Sequence, residues 1–192
     1  VDAGALTAEL TAATTALAVE LLARPDARRL AVIGLGPLGR AHVRHVRTGR
    51  GFQQVRVYAE SLTPGAIAGL GDVQLVASAE EAVSDADVVL LCTSAAKPVI
   101  DVRELTPGTL VTSISTNAPL AHEVDPRSLL DLDVYADHAA TAFAHAGDMR
   151  IAVEQHGFTA EHIRGDLPGL LSGRAPRPSG DRVVFFRSVG LG

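Results

Sequence analysis

The residues of this chain best suited to chemistry lie in one run, Gly34-Leu35-Gly36-Pro37-Leu38-Gly39. A dinucleotide carries a diphosphate whose charge must be met by backbone, without side chains crowding it. When such a run joins a strand to a helix, its first glycine permits the tight turn and its second lets backbone approach the phosphates. The third lets the helix lie close to the strand. The helix N-terminus adds unpaired N–H groups and the positive end of its dipole. Pro37 suits the first helical turn, where a missing N–H costs nothing. Glycine is common in turns, so this spacing gains weight only from its surroundings. Glu60 supplies part of it: roughly twenty residues past the run is where a carboxylate accepts hydrogen bonds from an adenosine ribose. A carboxylate there points to NAD, because it would repel the 2′-phosphate of NADP. Ser61 and Arg56 could still meet a phosphate, which leaves NADP open.

Two further polar clusters sit where strands are expected to end. Thr93 and Ser94 come after one apolar run, and Ser115, Thr116 and Asn117 after another. Ligands of open parallel sheets collect at the carboxyl ends of strands, so both clusters are placed to line a cofactor groove.

The elements that must position these residues are legible in the apolar pattern. Leu6, Leu10, Ala13, Leu17 and Leu21 recur at steps of three and four, with Thr7 as a candidate cap. This predicts an amphipathic helix over 6–23 with that stripe facing the core, ended by Arg24-Pro25-Asp26. Strands are expected at 30–34, 55–59, 73–77, 87–92, 109–115, 134–136 and 183–186. A helix should run from the glycine turn to about Arg47, with short helices opening at Thr63-Pro64, at Ser78 with capping-box spacing to Glu81, and at Asp125-Pro126. Helical stretches should fill much of 139–172, and residues 173–181 read as a loop. Strands alternating with helices predict a Rossmann-type, doubly wound parallel sheet with helices on both faces. The division expected is a linking helix over 1–26 and a dinucleotide-binding domain over 27–192.

Composition narrows the functions. A chain of 192 residues, 47% hydrophobic and only 4% aromatic, suits helices layered on an aliphatic sheet. Its formal charge of −5 gives no reason to expect nucleic acid or an anionic membrane. No apolar run reads as a membrane span and no signal peptide is recognisable, so a cytoplasmic location is expected. Cys92 is the only cysteine, so no internal disulfide can form, and it reads as a small buried hydrophobe. His42 with His45, and His138 with His145, read as surface histidines, with no metal site expected. Arginines 24, 28 and 29 read as a solvated helix end. The chain lacks an initial Met and stops soon after Ser188-Val189-Gly190, so it is expected to be a fragment.

Several separated segments together resemble the ornithine cyclodeaminase/μ-crystallin family: Leu6-Thr7-Ala8-Glu9-Leu10-Thr11-Ala12-Ala13, the glycine turn with Arg40 and His42, Ser113-Ile114-Ser115-Thr116-Asn117-Ala118-Pro119, His122-Glu123-Val124-Asp125-Pro126, Gly165-Asp166-Leu167, and Val184-Phe185-Phe186-Arg187-Ser188-Val189-Gly190-Leu191-Gly192. The resemblance implies hydride transfer between NAD(P) and the carbon of a C–N bond beside a carboxylate. It also implies a small imino or amino acid substrate and, in the full-length protein, a homodimer with an N-terminal substrate domain. Asn117 would orient the C–N group, and Ser188-Val189-Gly190 would approach the nicotinamide end. Two departures bear on the reaction. Leu10 stands where many members carry an Arg that grips the substrate carboxylate, and Asn117 stands where cyclodeaminases carry Asp. Asn cannot serve as the general base of a deamination. The resemblance is therefore nearer to reductases of cyclic imino acids such as Δ1-pyrroline-2-carboxylate, or to amino-acid oxidation in reverse. An ammonia-releasing ornithine cyclodeaminase and a non-catalytic NAD(P)H-binding μ-crystallin-like protein stand as alternatives.

Overall fold

Aliphatic strands too apolar to face water on either side make a central parallel sheet the economical arrangement for this chain. The computed structural model, which describes residues 3–62, 65–115 and 118–190, has that arrangement. Helix α1 (Ala3–Leu22) precedes β1 (Arg29–Ile33), α2 (Pro37–Gly49) and β2 (Gln54–Tyr58). Then come β3 (Gln74–Leu75), α3 (Ala79–Val83), β4 (Val88–Leu91), β5 (Leu110–Ser113) and β6 (Asp133–Ala136). Helices α4 (Ala139–His145) and α5 (Gly147–His156), strand β7 (Ile163–Asp166), α6 (Leu167–Leu171) and β8 (Val184–Arg187) complete the chain.

The eight strands run in the order β3-β2-β1-β4-β5-β8-β6-β7, every pairing parallel. The order reverses between β1, paired with β2 on one side, and β4 on the other. A Rossmann-type doubly wound sheet has its ligand crevice at that reversal, beyond the carboxyl ends of the strands. Alternate residues feed two cores: Leu30, Val32, Val88 and Leu90 pack towards α1 and α2, while Ala31, Ile33, Val89 and Leu91 pack on the other face with α3 and α5.

Local expectations fail where tertiary pairing overrides them. Strand β3 is only Gln74–Leu75, an exposed edge, and β5 stops at Ser113. Thr63 and Pro64 lie outside the described residues, and residues 65–69 form turns instead of a helix. Asp125 does act as a cap, accepting from the Arg127 N–H, but the element it opens is a 3-10 turn, Pro126–Leu130. Strand β7 lies in the stretch expected to be helical. It pairs with β6 through a register shift, and Gly165 leaves room for Ala175 to lie against it.

Helix α1 forms, but it turns the other way. Leu6, Leu10 and Leu17 are 52%, 49% and 37% exposed, whereas Ala12, Thr15, Ala18, Val19 and Leu22 are buried. Small residues win the interface because they let α1 approach α2 closely, and the helix's charges fix the choice of face. Glu9 bonds Arg44 at 2.5 Å and His45 at 2.6 Å on α2, and Glu20 faces Arg50 at 3.6 Å. The hydrogen bond from His45, with Arg44 assisting, holds the Glu9 carboxyl below its usual range. The segment Gly4–Leu22 is also long and apolar enough to cross a membrane, contrary to the sequence reading, with a mean hydropathy of 1.3 and 28% of it buried.

Of the arginines after α1, Arg28 and Arg29 keep exposed side chains as expected, while Arg24 and the backbone of the other two are engaged. Buried Asp87, at the amino end of β4, accepts from the Arg28 and Arg29 N–H groups at 2.8 and 2.9 Å and from Arg24 Nη2 at 2.8 Å. Burial pushes this carboxyl up, but the Arg28 N–H and the Arg29 side chain and N–H outweigh it and leave the pKa lowered.

His42 is fully buried between α1 and α2, against the surface role expected of it. Its Nδ1 lies 2.8 Å from the Leu38 carbonyl and its Nε2 3.0 Å from Thr15 Oγ1, which assigns a neutral ring donating from Nδ1 and accepting at Nε2. Burial drives its pKa down from 6.5 to about 4, the Leu38 hydrogen bond opposing and His45 assisting. The unfolded chain therefore takes up a proton on acidification that the folded chain refuses. Stability should fall as pH drops from about 6.5 towards 4, by up to about 1.4 kcal/mol per pH unit. Urea denaturation across this window should show the slope in the parent chain and its loss in His42→Gln. An unchanged slope in the variant would assign the effect elsewhere.

Candidate functional site

The glycine turn leaves β1 at the strand-order reversal. Gly34 adopts φ +93°, and a Cβ there would stand 2.5 Å from the Cys92 carbonyl oxygen. Its N–H donates to the Tyr58 carbonyl at 2.8 Å, tying the turn to β2. A Cβ on Gly39 would run into the Gly34 carbonyl oxygen, so only glycine lets α2 lie this close to the strand. Gly36 differs: nothing lies within 4 Å of where its Cβ would be. It is the N-cap of α2, with Pro37 in the first turn and no side chain capping the helix. The first-turn N–H groups thus lack intrahelical acceptors, and the space beside Gly36 is open.

That space is a groove of about 1010 Å³. Gly34, Leu35, Gly36 and Leu38 line it at the turn, Glu60 and Ser61 at the β2 end, and Thr93, Ser94 and Ser115 beyond β4 and β5. The fold thus gathers around one cavity residues that the sequence pattern singles out separately. Pro37 and Gly39 stand behind it, shaping the turn. Asn117 lies outside the described residues.

Glu60 is exposed on the groove rim, with no ion pair among the described residues. Arg56, the nearby cation that could have met a phosphate, is engaged elsewhere. It bonds Asp85 at 2.5 Å and the Glu81 carbonyl at 3.3 Å. Lys97 is an exposed cation on the groove wall. Ser78 Oγ accepts from the Glu81 N–H at 3.1 Å, and the Glu81 carboxylate reaches back to the Ala77 N–H, so the expected cap of α3 forms beside the groove. Arg40 donates to the carbonyls of Ala66 and Ala68, fastening the loop above the β2 end to α2.

Buried acidic side chains that sequence reading did not assign hold the far end of the groove. Glu123, fully buried, accepts from the Thr93 N–H at 2.8 Å, Thr93 Oγ1 at 2.7 Å, Ser113 Oγ at 2.8 Å and the Ile114 N–H at 3.2 Å. It couples the ends of β4 and β5. The Thr93 hydroxyl is consumed in this bond and also accepts from the Ala95 N–H, while its methyl faces Gly34. Thr93 therefore shapes the wall more than it offers a free donor. Asp137, at the end of β6, plays the same part for the loop after β8. Its Oδ2 accepts from Ser188 Oγ at 2.8 Å, the Val189 N–H at 2.9 Å and the Gly190 N–H at 3.1 Å. The donors of Ser188, Val189 and Gly190 thus turn inward, and these residues do not line the groove. No local pattern distinguishes Glu123 or Asp137 from a solvated carboxylate; only the sheet order brings their partners to them.

The remaining candidates are structural. Cys92 is buried, and its thiol is pushed well above its usual range by burial, with the Glu123 charge adding to it. Such a thiol is a poor nucleophile. His45 bonds Glu9, and His138 caps α4 by accepting from the Thr141 N–H. No cluster of three or more metal-ligating side chains exists among the described residues.

Comparison with known proteins agrees with this architecture. The chain is 52% identical over 195 residues to the NAD(P)H-dependent anabolic L-arginine dehydrogenase DauB of Pseudomonas aeruginosa, covering 100% of this chain and 62% of that protein. It is 31% identical over 198 residues to a Δ1-pyrroline-2-carboxylate reductase of Paracoccus denitrificans, covering 99% and 63% respectively. Among solved structures, the Δ1-pyrroline-2-carboxylate reductase of Thermococcus litoralis, in complex with NADH and L-proline, superposes with a TM-score of 0.86 at 25% identity, over 96% of this chain and 60% of that one. The chain thus spans a little over three fifths of the length of these relatives. The family described as ornithine cyclodeaminase/mu-crystallin matches residues 1–192, and the chain belongs to it.

Proposed function

We propose that this chain is the dinucleotide-binding part of an NAD(P)H-dependent oxidoreductase acting on a C–N bond next to a carboxylate. The observation that carries the reading is the contrast among the three glycines. Gly34 and Gly39 are forced by the protein's own atoms, whereas Gly36 is bare towards an open groove. A position kept empty without any internal reason is suited to a ligand's backbone approach. The diphosphate would lie on the amides of the turn, with Leu35, Gly36 and Leu38 nearest. The adenosine would lie towards Glu60 and Ser61, and the nicotinamide towards Thr93, Ser94 and Ser115.

A bound nicotinamide supplies or accepts a hydride. The chain's part is to position that ring and keep water from it, work that lies mainly in orientation. Reduction of an imine adds hydride to its carbon and a proton to its nitrogen; oxidation of an amine removes the same two. Asn117 would orient the C–N group, and its amide cannot take the proton that a deamination requires removed. This favours a reductase, whose imine substrate can arrive already protonated, over a cyclodeaminase; the reverse oxidation would give its proton to solvent. The relatives named as an L-arginine dehydrogenase and a Δ1-pyrroline-2-carboxylate reductase support both an open-chain and a cyclic imino acid as substrate class. The homodimer and the cytoplasmic location are parts of the same proposal, drawn from the family likeness.

Three outcomes are expected. In a titration followed by nicotinamide fluorescence, Gly36→Ala should weaken NADH binding by about tenfold or more while leaving the melting temperature unchanged. Gly39→Ala should instead lower the melting temperature, because its Cβ meets backbone. Equal NADH affinity in Gly36→Ala and the parent would defeat the reading. Glu60→Arg should move the preference from NADH towards NADPH, since Arg56 is already held by Asp85; an unmoved ratio would place the ribose elsewhere. In the full-length protein, nicotinamide absorbance should report oxidation of NADH with Δ1-pyrroline-2-carboxylate, or reduction of NAD with L-arginine, without net release of ammonia from ornithine, whereas the 192-residue chain alone should bind cofactor but turn over poorly. Ornithine-dependent ammonia release at constant NADH would select the cyclodeaminase instead.

A further inference from the structure

Among the described residues the largest fully buried side chain is a charged one, Arg187 at the end of β8. Its Nε lies 3.1 Å from the carboxylate of Asp148, itself fully buried in the first turn of α5. The rest of the guanidinium serves backbone. Nη1 donates to the carbonyls of Ser113 at 3.2 Å and Ser188 at 3.1 Å, and Nη2 donates to the carbonyl of Ser115. A rigid planar fork holds carbonyls in fixed directions from separate nitrogens, whereas the three donors of a lysine all leave one atom. The carbonyls it holds belong to the two strand ends beyond the β4 end of the groove.

The same turn of α5 holds the other end of the loop that leaves β5. A Cβ on Gly147 would run into the Ala121 carbonyl oxygen, so the chain at 120–121 rests directly on the start of α5. Arg150 donates to the Pro119 carbonyl at 3.4 Å. The Ser113 and Ser115 backbone is therefore held by Arg187 with Asp148, and the chain at 119–121 by Gly147 and Arg150. Its wall residues Ile114 and Ser115 face the groove.

We infer that Arg187, paired with Asp148, is a positioning residue: it fixes Ile114 and Ser115, just past the end of β5, in the geometry that seats the nicotinamide ring, without touching the cofactor. The inference rests on the dinucleotide reading above. A hydrophobic pair of similar size could fill the same volume, and buried ion pairs are often replaceable in this way without loss of stability. A charged fork that gathers carbonyls from two loops does what such a pair could not.

The test compares NADH with ADP-ribose, which lacks the nicotinamide. Calorimetric affinities for both are measured for the parent chain, for Arg187→Lys, and for the double variant Arg187→Met with Asp148→Leu, which removes both charges together. The affinity ratio of NADH to ADP-ribose should fall by about fivefold or more in both variants, with ADP-ribose itself held within about twofold. An unchanged ratio would overturn the inference. So would equal weakening of both ligands, or failure of both variants to fold, since the pair would then support the core and not the ring. Failure of the parent chain to bind either ligand would strike the dinucleotide reading instead, and so is distinguishable.

Discussion

The close approach of α2 to the turn leaving β1 is the constraint on which the rest of this structure depends. The backbone of Gly39 lies against the Gly34 carbonyl with no room for a side chain, and Gly34 in turn lies against the Cys92 carbonyl at the end of β4. Helix, turn and two neighbouring strands are thereby locked at van der Waals distance. Because β1 sits at the strand-order reversal, that lock places the uncapped helix N-terminus over the crevice. Partial positive charge is held facing an open groove with no side chain capping it, a setting that attracts a diphosphate.

The opposite end of the crevice is built by different physics. Apolar packing sets the strands in register, but it cannot dictate where the loops leaving them will point. Glu123, Asp137 and the Arg187–Asp148 pair do that, each collecting donors or carbonyls from segments distant in sequence. Buried charges are tolerated when they are paired, and loss of a single partner commonly costs several kcal/mol. The amino end of the sheet has a comparable device in Asp87 with Arg24 and the Arg28 and Arg29 amides, which ties the end of α1 to β1 and β4. The two ends thus have separate tasks: one anchors the preceding helix, the other shapes a wall.

Legibility in the sequence depends on the range of the interaction concerned. The glycine turn, Glu60 and the aliphatic strands are governed by nearest neighbours and by the sheet's general rules, so the residues lining the groove on its β1, β2 and β4 sides can be read directly. The stripe Leu6, Leu10, Leu17 misleads, because periodicity gives a helix its faces but does not say which one is covered; the small face of Ala12, Thr15 and Ala18 is the one α2 accepts. His42 reads as a surface residue because its partners, Thr15 and the Leu38 carbonyl, come from another helix and from a backbone group. Ile163–Asp166 carries a glycine and an arginine, a weak strand signal, and becomes a strand because the edge of β6 is free to pair. The buried acids are hidden for the same reason: a carboxylate's partners are set by strand order, which local sequence does not contain.

A backbone amide shift titration would test most directly whether the turn receives a diphosphate. On addition of NADH to the isotopically labelled chain, the amides of Leu35, Gly36, Leu38 and Gly39 should move furthest, those of Glu60 and Ser61 should move less, and those around Asp87 at the opposite end of the sheet should stay in place. Movement centred away from residues 34–39, or none at saturating NADH, would contradict it.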